Sequence, residues 1–377
     1  MNTSKTPPKN VRQGRHEEIF CLCMLAFIII EVFLLTALLI STLTPPVSAN
    51  PPSDGEGGES TSESTEVTDP IDPDDQKVFS GGVLLQRPAV ESSTATVTGI
   101  ASQHAILVDA SSGAVIAASD PNTRFEPASL TKVMTLIVAC EYFKVSDLER
   151  KLTVTEEAWD YARSGAYTGA SVAGHDVGDE LLIRDLLYGI GMESAADCTV
   201  MIVDEIAGSE EAFVAMMNAK ATSLGLTDTH FDNAIGHESA DNYTTATEMA
   251  MIMSYAMQCP LIVDILGQTQ HAFQMWYYND AAEYTEFRFT YYSTLFRGRM
   301  ETYENNAKKP FSLSTAVLKA GKTGSFITSA SLACTARAKT GGTEYILILG
   351  EAEKTDTQSA AYLTMCDMKT VFDTYVE

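Results

Sequence analysis

Glu126-Pro-Ala-Ser-Leu-Thr-Lys-Val-Met-Thr135 is the stretch from which the rest of the chain can be read. Leu130, Val133, Met134, Ile137 and Val138 recur at helical spacing, which predicts a helix from Pro127 to about Phe143 with proline in its first turn. Ser129 and Lys132 lie three apart, on one face and one turn apart. Ser129 falls at a helix start, where backbone N–H groups have no internal partner. A hydroxyl beside a lysine amine, over free N–H donors, is what an acyl-transfer nucleophile requires. Taken alone, Ser-x-x-Lys also describes an ordinary helix start with a surface lysine.

Outward from this helix the pattern alternates. Upstream, Ala105–Asp109 and Ala114–Ser119 flank Ser111-Ser112-Gly113 and read as a β-hairpin. Downstream, 183–257 reads as mostly helical. Strands return at Thr328–Lys339 and Tyr345–Gly350, and a helix from Thr357 to about Tyr375 closes the chain. Strands at both ends with helices between predict an α/β fold in which both termini complete one antiparallel sheet.

Two further segments carry chemistry. Lys322-Thr323-Gly324, followed by Ser325, enters a predicted edge strand. There a lysine and a hydroxyl can hold a carboxylate, and glycine permits close backbone approach. A second copy, Lys339-Thr340-Gly341, sits between two strand runs and reads as a hairpin turn. Ser194-Ala195-Ala196-Asp197 resembles a capping box at a helix start. That role is compatible with a second one, in which the Ser194 hydroxyl passes a proton to a leaving group.

The remaining features bound the function. A formal charge of -25 excludes a phosphate-backbone partner, so no nucleic acid is expected. The six histidines show no ligand spacing, and neither metal nor cofactor is expected. No Gly-x-Ser-x-Gly elbow points to a Ser-His-Asp hydrolase. Outside the N-terminal apolar run, five cysteines match no zinc pattern and are expected as buried free thiols.

The N-terminus predicts export. Residues 1–18 form a basic cytoplasmic tail, and 19–43 a transmembrane anchor or signal segment, in which Ile19–Ile40 is broken only by Glu31 and Thr36. Val47-Ser48-Ala49 offers small residues for cleavage, so the expectation is an extracytoplasmic domain at the cell membrane, or a secreted one if cut after Ala49. Residues 50–78 carry acids, Pro, Gly and Ser and are expected to be a disordered linker. The globular, catalytic part is expected over 100–377.

Ser-x-x-Lys, a Ser-x-x-Asp segment where Ser-Asp-Asn is usual, and Lys-Thr-Gly together form a far more specific signature than any one of them. On these segments the chain from about Ala105 to Gly350 resembles the low-molecular-weight penicillin-binding proteins, the D-alanyl-D-alanine carboxypeptidases. Ala207–Val214, Leu224–Phe231 and Asn242–Ala246 add to the likeness. The resemblance implies a β-lactamase/transpeptidase-like fold, an antiparallel sheet flanked by helices with a mainly helical subdomain. It implies Ser129 as nucleophile, Lys132 as its neutral base, and Ser194 as proton relay. Lys322 would depress the Lys132 pKa by repulsion. Lys322, Thr323, Gly324 and Ser325 would bind substrate, with the Ser129 and Ser325 N–H groups as oxyanion hole. The substrates implied are peptidoglycan stem peptides, and β-lactam antibiotics would be covalent inhibitors.

The chain departs from the pattern in four places. Ala196 stands where the family has asparagine, which removes a contact to the substrate amide. Restoring asparagine is expected to raise kcat/KM on peptide by about 3- to 10-fold. The alternative reading that Ala196 opens is a catalytically impaired penicillin-binding or cell-wall-binding protein. The arginine often found after the Gly350 strand is missing, and only Lys354 could replace it. The family's β-rich C-terminal domain does not follow the closing helix. Finally, 271–311 is longer than the family stretch, rich in Tyr and Phe, and expected to cover the sheet rather than line the cleft. No Glu-x-x-Leu-Asn segment follows Ser194, which disfavours a β-lactamase.

Overall fold

Alternation along the strands builds a sheet with two apolar faces. The computed structural model describes residues 75–163, 169–278 and 284–377. The basic tail, the apolar run and almost all of the acidic segment therefore lie outside the described residues. In β2 (Ser102–Asp109), Ala105 and Leu107 face one core while Ile106 and Val108 face another. The same period of two runs through β10 (Glu344–Glu353), where Leu347 and Leu349 oppose Ile346 and Ile348.

These strands join β1 (Ala95–Thr96), β3 (Val115–Ser119), β8 (Ala316–Ser325) and β9 (Ser329–Ala338) in a six-stranded sheet of order β1-β3-β2-β10-β9-β8. All neighbours are antiparallel except β1 with β3. On one face packs the closing helix (Ala360–Tyr375), through Met365, Met368, Val371 and Phe372. On the other lies α1 (Thr131–Tyr142), preceded by a 3-10 turn at Ala128–Leu130. Ten of its twelve residues are buried, so it is a core helix and not an amphipathic surface one.

Between β3 and β8 the chain forms the largely helical part expected, together with a second sheet that the sequence reading did not foresee. β4 (Lys151–Thr153), β5 (Glu180–Leu182), β6 (Gln270–Tyr278) and β7 (Tyr284–Tyr292) run antiparallel in that order. Two of the four strands are three residues long, too short to show a period, and the one that meets the β6–β7 hairpin does so through Glu180 and Trp276, far apart in sequence.

Folded structure also begins before the expected start at 100. Val78 and Phe79 donate their N–H groups to Phe143 and Cys140 carbonyls, each at 2.9 Å, and Phe79 is buried. Arg87 pairs with Glu248, whose side chain is wholly buried. One aromatic anchor and one ion pair fix this segment, and an average over an acidic composition hides both. The five described cysteines outside the apolar run are free thiols, four of them buried, as expected.

Candidate active site

Ser129 sits on a turn held in a costly shape. Ala128, just before it, has φ +50°, a left-handed conformation that a residue with a side chain adopts only when its surroundings impose it. Two glycines let those surroundings close in. A Cβ on Gly236 would lie 1.9 Å from the Ala128 carbonyl oxygen, and one on Gly324 2.8 Å from that of Pro127. The Lys-Thr-Gly glycine thus serves contact between β8 and the Ser129 turn.

Lys132 points from the first turn of α1 into the protein, where it is 1% exposed. Its Nζ is 3.3 Å from Ser129 Oγ and donates to the Ile235 carbonyl at 2.5 Å. Burial pulls this amine from 10.5 down to about 7, against the opposing attraction of Asp197. The carbonyl it meets belongs to a loop built for the purpose. Asn233 Oδ1 accepts from Gly236 and His237 N–H, and Thr135 Oγ1 donates to the Ala234 carbonyl.

Lys322 is fully buried on the edge strand β8 and donates to Ser194 Oγ at 2.9 Å and to the Thr323 carbonyl. Burial, then the nearby Lys132 and Arg299 charges, hold its amine well below the ordinary lysine value. The expectation that Lys322 depresses Lys132 is corrected accordingly. Burial is the lowering cause at Lys132, and the repulsion between the two amines falls on Lys322 instead.

Ser194 is not a helix cap. It has φ +59° and follows a π-helical turn at Gly189–Glu193, and the N-cap position belongs to Ala195. The Asp197 carboxylate reaches out of the helix start instead, accepting from the N–H groups of Ala173, Gly174 and Cys198. The spacing of a capping box is present, but the left-handed turn aims the hydroxyl at Lys322.

Ser129, Lys132, Ser194, Thr323 and Ser325 line one cleft of about 510 Å³, and Lys322 and Gly324 are buried behind its wall. The structure therefore brings together the seven residues expected as catalytic or substrate-binding: Ser129, Lys132, Ser194 and Lys322 to Ser325. Lys339 lies apart, as expected of a hairpin turn, its amine on the Leu313 and Ser314 carbonyls. Lys354 is exposed and does not line the cleft, so it does not replace the missing arginine.

Arg299 does reach the cleft. It ends a π-helical turn at Thr294–Arg299, within the long segment expected only to cover the sheet. That expectation is corrected: Thr294, Gly298, Arg299 and Thr302 form part of the cleft wall. Arg299 is 7% exposed and donates to the Gly324 carbonyl at 3.0 Å, Ser325 Oγ at 2.6 Å and Thr364 Oγ1 at 3.2 Å. No described carboxylate pairs with it, and burial alone lowers it to about 10. Thr323 Oγ1 is tied to Thr294 Oγ1 at 2.9 Å, so the same segment orients the Lys-Thr-Gly threonine. Nothing periodic marks Arg299 in the sequence. The length of its segment was the one available signal.

A chain of charge -25 thus gathers two lysines and an arginine at one cleft. The arrangement offers a hydroxyl beside an amine lowered to about 7, a second hydroxyl bound to a second amine, and a guanidinium with no described carboxylate partner.

Comparison with known proteins points to one family. Residues 91–353 match the family model Peptidase_S11, D-alanyl-D-alanine carboxypeptidase. The chain is 35% identical over 149 residues to D-alanyl-D-alanine carboxypeptidase DacC of Escherichia coli, covering 39% of this chain and 37% of that one. It is 33% identical over 168 residues to DacF of Bacillus subtilis, covering 43% and 41%. The matches thus span about two fifths of these relatives' lengths. Among solved structures, the Streptomyces K15 DD-transpeptidase superposes with a TM-score of 0.60 at 23% identity, over 73% of this chain and 97% of that one. A D-alanyl-D-alanine carboxypeptidase from Mycobacterium tuberculosis does so with 0.56 at 22%, over 75% and 93%. At these identities the superpositions establish the fold, the one expected from the sequence. With a family match across more than half of its length, the chain belongs to the D-alanyl-D-alanine carboxypeptidase family, peptidase S11.

Proposed function

We propose that this chain is a serine-type D-alanyl-D-alanine carboxypeptidase that trims peptidoglycan stem peptides and is acylated by β-lactams. The observation that carries the reading is the Lys132 amine, buried, lowered to about 7 and 3.3 Å from Ser129 Oγ. A lysine in that state is a base at neutral pH, which a surface lysine is not.

The peptide's terminal carboxylate sits against Arg299, Thr323 Oγ1 and Ser325 Oγ. Ser129 Oγ attacks the carbonyl carbon of the D-Ala–D-Ala bond as its proton passes to Lys132 Nζ, and the new oxyanion faces the Ser129 and Ser325 N–H groups. The C–N bond then breaks. Ser194 gives its proton to the departing nitrogen and takes one from Lys132, and D-alanine leaves. Water, deprotonated by Lys132, cleaves the acyl-enzyme and restores Ser129. A buried guanidinium without a carboxylate partner favours a substrate that brings one. The impaired-binder reading gains no support, since a pure binder needs neither nucleophile nor neutral base. The apolar run at 19–40, with its basic flank, supports a domain held outside the cell membrane by its N-terminus, or released by cleavage after Ala49.

The test is release of D-alanine from an acetylated lysyl-D-Ala-D-Ala peptide. The protein is expected to release it, and Ser129→Ala to lose at least a thousandfold in rate. Equal release by both proteins would end the assignment.

A further inference from the structure

Ala196 occupies the place of an asparagine that would meet the substrate amide, yet Ala196 itself does not line the cleft. Ala196 is 0% exposed and packs in the main apolar cluster with Ala195 and Cys198. Its backbone N–H donates to the Ser171 carbonyl at 2.8 Å, so residue 171 lies directly against the start of the helix Ala196–Ala207. Gly169, Ala170 and Ser171 line the same cleft as Ser129, Lys132 and Ser194, and Ala196 does not.

The segment is fixed from below. Asp197, 1% exposed, accepts from Ala173 N–H at 2.9 Å with Oδ1 and from Gly174 N–H at 3.0 Å with Oδ2. Gly174 has φ +92°, which turns the chain so that both N–H groups meet one carboxylate. The clamp at residues 173 and 174, plus the Ser171 carbonyl on Ala196, holds the backbone that follows the Ser171 side chain. That side chain is exposed to the cleft, and among the described residues its hydroxyl has no hydrogen-bond partner.

We infer that Ser171 makes the contact to the substrate amide that alanine at 196 cannot, so that Ser171 determines selectivity for peptide and Asp197 positions it. The inference rests on the carboxypeptidase reading. A serine hydroxyl both donates and accepts, so it serves the amide carbonyl or the amide N–H next to the acylated residue. The contact has moved from the helix to the loop covering it, which reverses the expectation from sequence. Asparagine at 196 would put an amide into an apolar cluster and push the loop away, lowering the rate on peptide.

The experiment compares kcat/KM on an acetylated lysyl-D-Ala-D-Ala peptide with kcat/KM on a simple aryl thioester lacking the acyl-side amide. For Ser171→Ala, the peptide value is expected to fall about 3- to 10-fold with the thioester value unchanged, and Ser171→Thr to keep the peptide rate. Asp197→Asn is expected to lower the peptide value more than the thioester value, both shifting because its charge also acts on Lys132. Ala196→Asn is expected to bring no gain, alone or added to Ser171→Ala. Equal peptide rates in wild type and Ser171→Ala would overturn the inference, as would equal losses on both substrates, which mark a merely structural role. Penicillin labelling of the wild type at Ser129 separates the two levels: labelling without the split defeats only the role of Ser171, and no labelling defeats both.

Discussion

A lysine amine sealed from water must either find a counter-charge or give up its proton. Lys132 takes the second course, since burial outweighs the attraction of Asp197 and brings it to about 7. The sign of the pH dependence follows. Below about 7 Lys132 is protonated and cannot accept the Ser129 proton; above it the amine is free. Acylation is therefore expected to rise tenfold per pH unit up to about pH 7 and then level off, read from stopped-flow rates with a β-lactam. A flat profile from pH 5 to 9 would rule Lys132 out as base. Arg299 keeps its charge throughout that range. Replacing it, as Arg299→Gln, is expected to raise KM for a peptide with a free terminal carboxylate about tenfold or more, from the value of a charge-assisted hydrogen bond. The same peptide amidated at its C-terminus should show little change. Equal effects on both peptides would show that Arg299 only supports the wall.

At the scale of elements, the site is a meeting of the nucleophile turn, the edge strand β8 and the loop 233–237, and the first two are local enough to be read in sequence. Ser129 with Lys132 and Lys322 with Gly324 each lie within four residues, where spacing alone places side chains on one face. Ser194 was legible only through the family resemblance, since its spacing to Asp197 is that of a capping box and only the backbone at φ +59° shows otherwise. Arg299 and Ser171 were not legible, because each reaches the cleft from a segment without periodicity and is placed by long-range contacts. The β4–β7 sheet was hidden by two strands of three residues and a partner hairpin distant in sequence. Gly236 tests the meeting itself. With φ +76° and the Ala128 carbonyl 1.9 Å from any added Cβ, Gly236→Ala must displace the nucleophile turn. It is expected to cost about 1–3 kcal/mol in thermal or urea unfolding and to slow penicillin acylation more than tenfold. An unchanged acylation rate would mean that the turn does not depend on this contact.

Over the whole molecule, acidic and basic residues are divided between regions. The acidic residues concentrated in 54–75 lie in the segment N-terminal to the folded domain, while the cleft gathers Lys132, Lys322 and Arg299. The domain starts at about Asp75, since Phe79 and the Arg87–Glu248 pair belong to its packing. A chain beginning at Asp75 is expected to remain soluble and to bind penicillin covalently, whereas the full chain sediments with membranes. A chain beginning at residue 100 should melt several degrees lower, having lost a buried phenylalanine and left Glu248 without Arg87. Identical melting of the two fragments would remove residues 75–99 from the fold. A full chain found only in the soluble cytoplasmic fraction would contradict the anchor.

The central claim, an acyl-enzyme on Ser129 formed with Lys132 as base, is tested most directly by intact-mass measurement after incubation with a penicillin. Opening the strained ring transfers the whole drug to the protein, so the wild type is expected to gain the mass of one penicillin molecule. Peptide mapping should place it on Ser129, and Lys132→Ala should acquire it far more slowly. The Ser129→Ala protein should gain nothing. An adduct of the same mass on Ser129→Ala, or none on the folded wild type, would contradict the account.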